Sequence, residues 1–176
     1  MRINEKLMKA LKFIGAAAAF AVVIPFVSAK ASAETVGAFK VTGGTSGTDY
    51  SYENNVLTIK TGTEITIANK DKSTPTKDRI VIEKNASANI TLAGVNIETD
   101  AGAALEIADD NYKTNQITLA DGSKNTLTTT SDGCAGLQKN GISSLLTIEA
   151  QENGTGELIA QGGENAAGIG GGNNNL

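Results

Sequence analysis

From Val56 onward the chain alternates apolar and polar residues in short bursts, separated by clusters of Gly, Asn, Asp and Ser. Val56-Leu57-Thr58-Ile59, Ile65-Thr66-Ile67, Ile80-Val81-Ile82, Ile90-Thr91-Leu92, Ile117-Thr118-Leu119 and Leu146-Thr147-Ile148 all follow this pattern. A period of two puts Ile90 and Leu92 on one face and Thr91 on the other, which predicts short strands with one apolar face. The bursts are rich in β-branched residues and show no sustained 3.6-residue period, so helices are not expected. The intervening Gly, Asn, Asp and Ser are residues that turn a chain at low conformational cost.

The bursts recur. Ile80 to Ala104, Leu105 to Gly136 and Leu137 to Gly168 can be written under one another, and a fourth unit opens at Ile169. Successive units start 25, 32 and 32 residues apart. Each has three pieces: Ile80-Val81-Ile82, Leu105-Glu106-Ile107 and a weaker start at Leu137; then Ile90, Ile117 and Leu146 with their followers; then segments centred on Ile97, Leu127 and Leu158. Small residues precede each unit, at Gly102-Ala103-Ala104, Cys134-Ala135-Gly136 and Ala166-Ala167-Gly168. A tight corner leaves little room beyond a methyl group, so such residues belong there.

A repeat of three strands and three turns predicts an all-β fold, a right-handed parallel β-helix of about four coils. Inward aliphatics would stack as columns, with about 4.8 Å between coils. The competing antiparallel sandwich has no need for like residues at corresponding positions of successive units. Val56 to Ile59 and Ile65 to Ile67 read as an opening coil. Lys70 to Asp78, holding Pro75, reads as an exposed insertion. Residues 34–55, with Phe39, Tyr50 and Tyr52, read as an N-terminal cap over the first open edge, and residues 56–176 as the β-helix. Because a coil has only begun at Ile169 when the chain reaches Leu176, a product truncated at its C-terminus is expected.

Residues 1–33 change the picture of location. Arg2, Lys6, Lys9 and Lys12 precede an apolar run from Phe13 to Val27, and Ala31-Ser32-Ala33 closes the segment. That order is a signal peptide, with cleavage expected before Glu34 and a secreted, extracellular or cell-surface product. A retained anchor is the alternative, but the run is short for a span of about 20 apolar residues and Pro25 interrupts it. Residues 34–176 then carry ten basic and 18 acidic residues, a net charge of −8. Such a surface repels nucleic acid and anionic membranes, and neither is expected as a partner. Cys134 is the only cysteine, so no internal disulfide forms, and its expected role is that of a small buried residue. The sequence has no His and no Trp, and only Phe39, Tyr50, Tyr52 and Tyr112 are aromatic beyond residue 33, which suits a core of stacked aliphatics.

Asp49 to Ile59 (DYSYENNVLTI), together with ITLAGVNI, ITLADGSKNTL, CAGLQK and AAGIGGG, resembles secreted β-helix modules of Gram-positive gut and soil bacteria. Those are described as carbohydrate-binding-domain-containing or cell-surface proteins of the pectate-lyase superfold. The resemblance spans Phe39 to Gly172. It implies further coils ending in AGIGGG, followed by other extracellular modules or a wall-attachment segment.

Candidate chemistry is sparse. A polysaccharide lyase on this fold would use calcium-binding acids and a basic proton acceptor on one outer sheet. The single arginine beyond residue 33, Arg79, lies at the end of the exposed insertion and is expected to face solvent. Histidine is absent as a general base. Asp109 and Asp110 are adjacent, so on a strand they would point to opposite faces, which suits glycoside cleavage poorly. With Asn111 they are expected to shape a long turn, and as a calcium site they fall short of six to eight oxygen ligands. No residue is therefore assigned as catalytic, cofactor-binding or metal-binding, and calcium is the one cofactor left open. Tyr112 offers a platform for a sugar, against the alternative that it shields the flank of the fold. Gly168 to Gly172 lacks the Lys-Ser/Thr of a phosphate loop and reads as a corner and strand. Asn85, Asn89 and Asn153 head glycosylation sequons but read as turn or strand residues. The expected function is non-catalytic carbohydrate binding or adhesion, with a polysaccharide or wall glycan as partner. A pectate-lyase-type enzyme and a purely structural stalk are the alternatives.

Overall fold

The computed structural model describes residues 32–141 and 143–172. The expected export segment falls almost wholly outside them, as do Ile142 and residues 173–176. In chain order the strands are β1 (Glu34–Val36), β2 (Phe39–Thr42), β3 (Tyr50–Glu53), β4 (Val56–Ile59), β5 (Glu64–Asn69), β6 (Arg79–Ile82), β7 (Asn89–Leu92) and β8 (Asn96–Thr99). They continue with β9 (Leu105–Ile107), β10 (Thr114–Leu119), β11 (Lys124–Thr129), β12 (Leu137–Lys139), β13 (Leu145–Ala150), β14 (Glu157–Gln161) and β15 (Ile169–Gly170). The described residues are all-β, with no helix among them.

Three sheets result, in the orders β1-β2-β5-β7-β10-β13, β3-β4-β6-β9-β12-β15 and β8-β11-β14. From β6 onward the chain visits the second, first and third sheet in turn, and every pairing among β4 to β15 is parallel. Inward residues line up across strands. Leu57, Ile80, Leu105, Leu137 and Ile169 form one file, and Ile65, Ile90, Ile117 and Ile148 form another. Inward side chains of all three sheets join a single buried cluster, so the sheets share one apolar interior. The small corners before each unit accept from the preceding strand: Ile80 N–H donates to Ala104 O, Leu105 N–H to Gly136 O and Leu137 N–H to Gly168 O, each at 3.0 Å.

The last unit departs from the expected alignment. Ile148, not Leu146, continues the Ile90–Ile117 file, and Leu146 stands opposite Asn115. In the third sheet Ala160 follows Ile97 and Leu127, while Leu158 stands opposite Asn125. Both displacements are of two residues. A slip of two keeps every side chain on its own face, so apolar alternation cannot distinguish the two registers.

The Lys70–Asp78 segment is exposed over most of its length but is more than an insertion. Thr76 bridges in parallel to Ile97, its N–H donating to Asn96 O at 3.0 Å and its carbonyl accepting from Glu98 N–H at 2.9 Å. It thereby covers the edge of β8. The other two sheet edges at this end are closed by antiparallel strands, β2 on β5 and β3 on β4. The turn between β3 and β4 suits its closure: Asn54 and Asn55 both have positive φ, at 52° and 63°, as a two-residue type I′ hairpin between right-twisted strands requires. Phe39, Val41 and Tyr50 from this region are buried in the common interior.

Four asparagines are buried at the corners: Asn69, Asn111, Asn115 and Asn125. Each serves backbone groups of a neighbouring repeat. Asn69 donates to Asn96 O at 2.7 Å and accepts from Asn96 N–H at 3.0 Å. Asn111 donates to Glu83 O and Ala86 O, and Asn115 accepts from Ala88 N–H. Turn backbone that faces no strand would otherwise be buried without partners. Cys134 is half-buried rather than buried, while Ala135 beside it is fully covered.

Candidate functional site

A concavity of about 620 Å³ lies between the β1–β2 turn, Tyr52 on β3 and the Lys70–Asp78 segment. Tyr52 forms one wall. Its ring packs against Gly37, where even a methyl group would collide with it, and its hydroxyl donates to Asp78 Oδ2 at 2.7 Å. The same oxygen accepts from Ala38 N–H at 2.9 Å, so one carboxylate joins the hairpin turn, β3 and the loop. Pro75, Thr74, Asp71 and Lys70 supply the facing side. Asp71 is committed to its own turn through Ser73, whose backbone and hydroxyl hold its carboxyl below the usual range. The Lys70 side chain forms no ion pair among the described residues.

The two cap tyrosines resist ionisation. Burial, then hydrogen bonding to Asp78, pushes the Tyr52 hydroxyl up to about 12. Burial again leads for Tyr50, followed by its 2.5 Å bond to Glu34, and it too is raised to about 12. In an unfolded chain each would ionise from the ordinary value of 10.0. A raised acid favours the fold while protonated, so its contribution is intact below pH 10 and is lost as the pH climbs toward about 12. For fully covered Tyr50 the loss is on the order of 2 kcal/mol. Spectrophotometric phenolate titration is expected to show Tyr50 ionising in step with unfolding in this window, with Tyr50→Phe unfolding at higher pH than the parent. In a Tyr52→Phe/Tyr112→Phe background, which leaves Tyr50 as the only phenol, phenolate formation at pH 10 with the fold intact would contradict the assignment.

The other residues singled out by sequence are dispersed. Tyr112 does not shield the flank: it is 66% exposed in the turn before β10. Nearby Asp110 pairs with Lys84 at 2.6 Å, and Asp109 accepts from Asn140 at 2.6 Å, so both acids serve turn-to-turn contacts. Arg79 does not face solvent freely. Its side chain is 16% exposed, donating to Glu106 Oε2 and Ala103 O, each at 2.6 Å, along the outer face of the second sheet. The reason is register, since Arg79 begins β6 and Glu106 lies on the adjacent strand β9. Asn85 and Asn153 lie in turns, Asn89 begins β7, and Ile169-Gly170 forms β15. Among the described residues no group of three or more Cys, Asp or Glu side chains is placed to hold a metal ion. No helix of the described residues is long and apolar enough to cross a membrane.

Sequence reasoning missed the groove at Tyr52. The signal was present in Tyr50-Ser51-Tyr52-Glu53 followed by Asn54-Asn55 and the alternating Val56 to Ile59, a hairpin pattern that sets Tyr50 and Tyr52 on one face. No protein-family model, curated protein or solved structure matches the chain.

Proposed function

We propose that the chain is an exported right-handed parallel β-helix that contacts carbohydrate without catalysing its breakdown. The observation that carries this reading is the groove beside Tyr52. It combines an aromatic ring fixed by Gly37 and Asp78, the ring of Pro75, the ammonium of Lys70 and the exposed hydroxyl of Thr74, which also bonds Asp71. Sugars present an apolar face and a rim of hydroxyls, and are held by a rigid ring plus convergent hydrogen-bond groups. Preorganisation of the ring lowers the entropy lost on binding. The resemblance to carbohydrate-binding β-helix modules agrees with this, and the cyclic order of parallel strands supports the β-helix.

A glycan array probed with the purified protein is expected to retain at least one polysaccharide. Lys70→Ala/Thr74→Ala removes exposed atoms only and should weaken that retention about tenfold while leaving thermal unfolding unchanged. An array without any retained glycan would leave only the structural role. Release of reducing ends or unsaturated products from pectins or xylans, with calcium present, would overturn the non-catalytic part.

A further inference from the structure

On the other side of the same loop lies a second groove, of about 430 Å³, over the outer face of the third sheet. Its charge is opposite to that of the chain as a whole. Lys72 and Lys124 line it with Gly94, Asn96, Ser123 and Thr126, and no carboxylate does. Neither lysine forms an ion pair among the described residues. Lys72 is laid back over the sheet: a Cβ added at Gly94 would sit 3.1 Å from both its Cε and its Nζ. Gly94, with φ of 96°, thus leaves the space that the lysine occupies.

Of the neighbouring acids, Asp71 and Asp121 are engaged, and Glu98 lies two residues beyond Asn96 on β8, outside the lining of the groove. Asp71 is held by Ser73, and Asp121 accepts from Asn153 and Thr155. Glu157 stands beside Lys124 in the register of β11 and β14 but does not pair with it. Asn96, Thr126 and Ile159 form one outward file across β8, β11 and β14. The Asn96 amide and the Thr126 hydroxyl make no side-chain hydrogen bond within the described residues, and Ile159 is 45% exposed. The amide, the hydroxyl and the apolar contact thus form one file across the strands, and beside it, two residues earlier in each segment, Lys72 lies over Gly94 and Lys124 stands next to Glu157.

We propose that this groove binds an acidic polysaccharide, a polymer of carboxylate-bearing sugars laid across the strands of the third sheet. The proposal rests on the carbohydrate-binding reading above and adds the ligand class and a second contact site. Carboxylates lie against Lys72 and Lys124, sugar hydroxyls against Asn96 and Thr126, and one sugar face against Ile159. Ion pairs to ammonium groups are strengthened by hydrogen bonding, and a polymer adds further contacts at high effective concentration. The net charge of −8 beyond residue 33 opposes approach at long range, but at physiological salt that field is screened beyond about 8 Å while contact pairs persist.

The test is affinity electrophoresis of the protein in gels containing alginate, a polyuronate, or neutral dextran. Alginate is expected to retard it, and Lys72→Gln/Lys124→Gln to weaken retardation about tenfold without changing thermal unfolding. The charge-matched variant Lys40→Gln/Lys60→Gln should behave as the parent. Retardation by alginate that is equal in parent and Lys72→Gln/Lys124→Gln protein, or dextran as effective as alginate, would overturn the assignment of this groove. Binding of dextran without alginate would overturn it while leaving carbohydrate binding standing, and binding of neither would overturn it and leave the carbohydrate-binding reading to the glycan array.

Discussion

Asn125→Leu is expected to lower the unfolding free energy by about 4 kcal/mol. Asn125 is fully buried at the start of β11. Its Oδ1 accepts from Gly94 N–H at 2.9 Å and Val95 N–H at 3.0 Å in the preceding repeat. Its Nδ2 donates to Glu157 O at 3.1 Å in the following one. One side chain therefore satisfies backbone groups in repeats on both sides of its own. Leucine has a similar volume and no polar atom, so both amides would stay buried without their acceptor and the part-covered Glu157 carbonyl would lose its donor. Each orphaned group costs about 1–3 kcal/mol, and the burial gained by leucine recovers part of the sum. Denaturant unfolding measures the difference. A loss below about 1 kcal/mol would mean that the amides at 94 and 95 find other acceptors.

Ile117→Ala should cost about 3 kcal/mol by the same measurement. Ile117 has no exposed surface and lies between Ile90 and Ile148 in the first sheet. Its neighbours sit on hydrogen-bonded strands, so they cannot move inward without breaking the ladder, and the vacated space remains as a cavity. Ile148 is a matched comparison. It occupies the same file one strand later but is only half-buried, because β13 pairs only with β10 among the described residues. Ile148→Ala should therefore cost about 1 kcal/mol. Equal losses at 117 and 148 would argue against the shared interior.

Most strand positions were legible because alternation is a local signal. Ile80, Leu105, Leu137 and Ile169 could be aligned from sequence spacing alone, and they do stand in one file, which pairing extends to Leu57. The alignment failed at Leu146 and Leu158, where two registers present equally apolar faces. Asn125 bears on the second of these, since its Nδ2 donates to Glu157 O on β14, whereas the Oδ1 atoms of Asn115 and Asn125 bond Ala88, Gly94 and Val95 and so hold β10 and β11 against the preceding strands. Asparagine in a turn looks the same in sequence whether it faces water or is buried.

The candidate sites were less legible still. Lys72 and Lys124 lie 52 positions apart in the chain, and nothing near either one marks it as half of a groove. Tyr52 could be assigned to a strand but not to a wall of a concavity, because Asp78 and Gly37 reach it from separate segments. Arg79 looked free because Glu106 is 27 positions away, yet strand pairing brings the two within hydrogen-bonding distance.

Sequence alone therefore determined the all-β character and which face of each strand is apolar, since these depend on side-chain periodicity and turn chemistry within a few residues. Tertiary structure decided the register of the last unit, the burial of the corner asparagines, the antiparallel closure of two sheet edges and the membership of both grooves. Those depend on which backbone groups lack partners and which charges meet across repeats, and such distances are set only when distant segments pack.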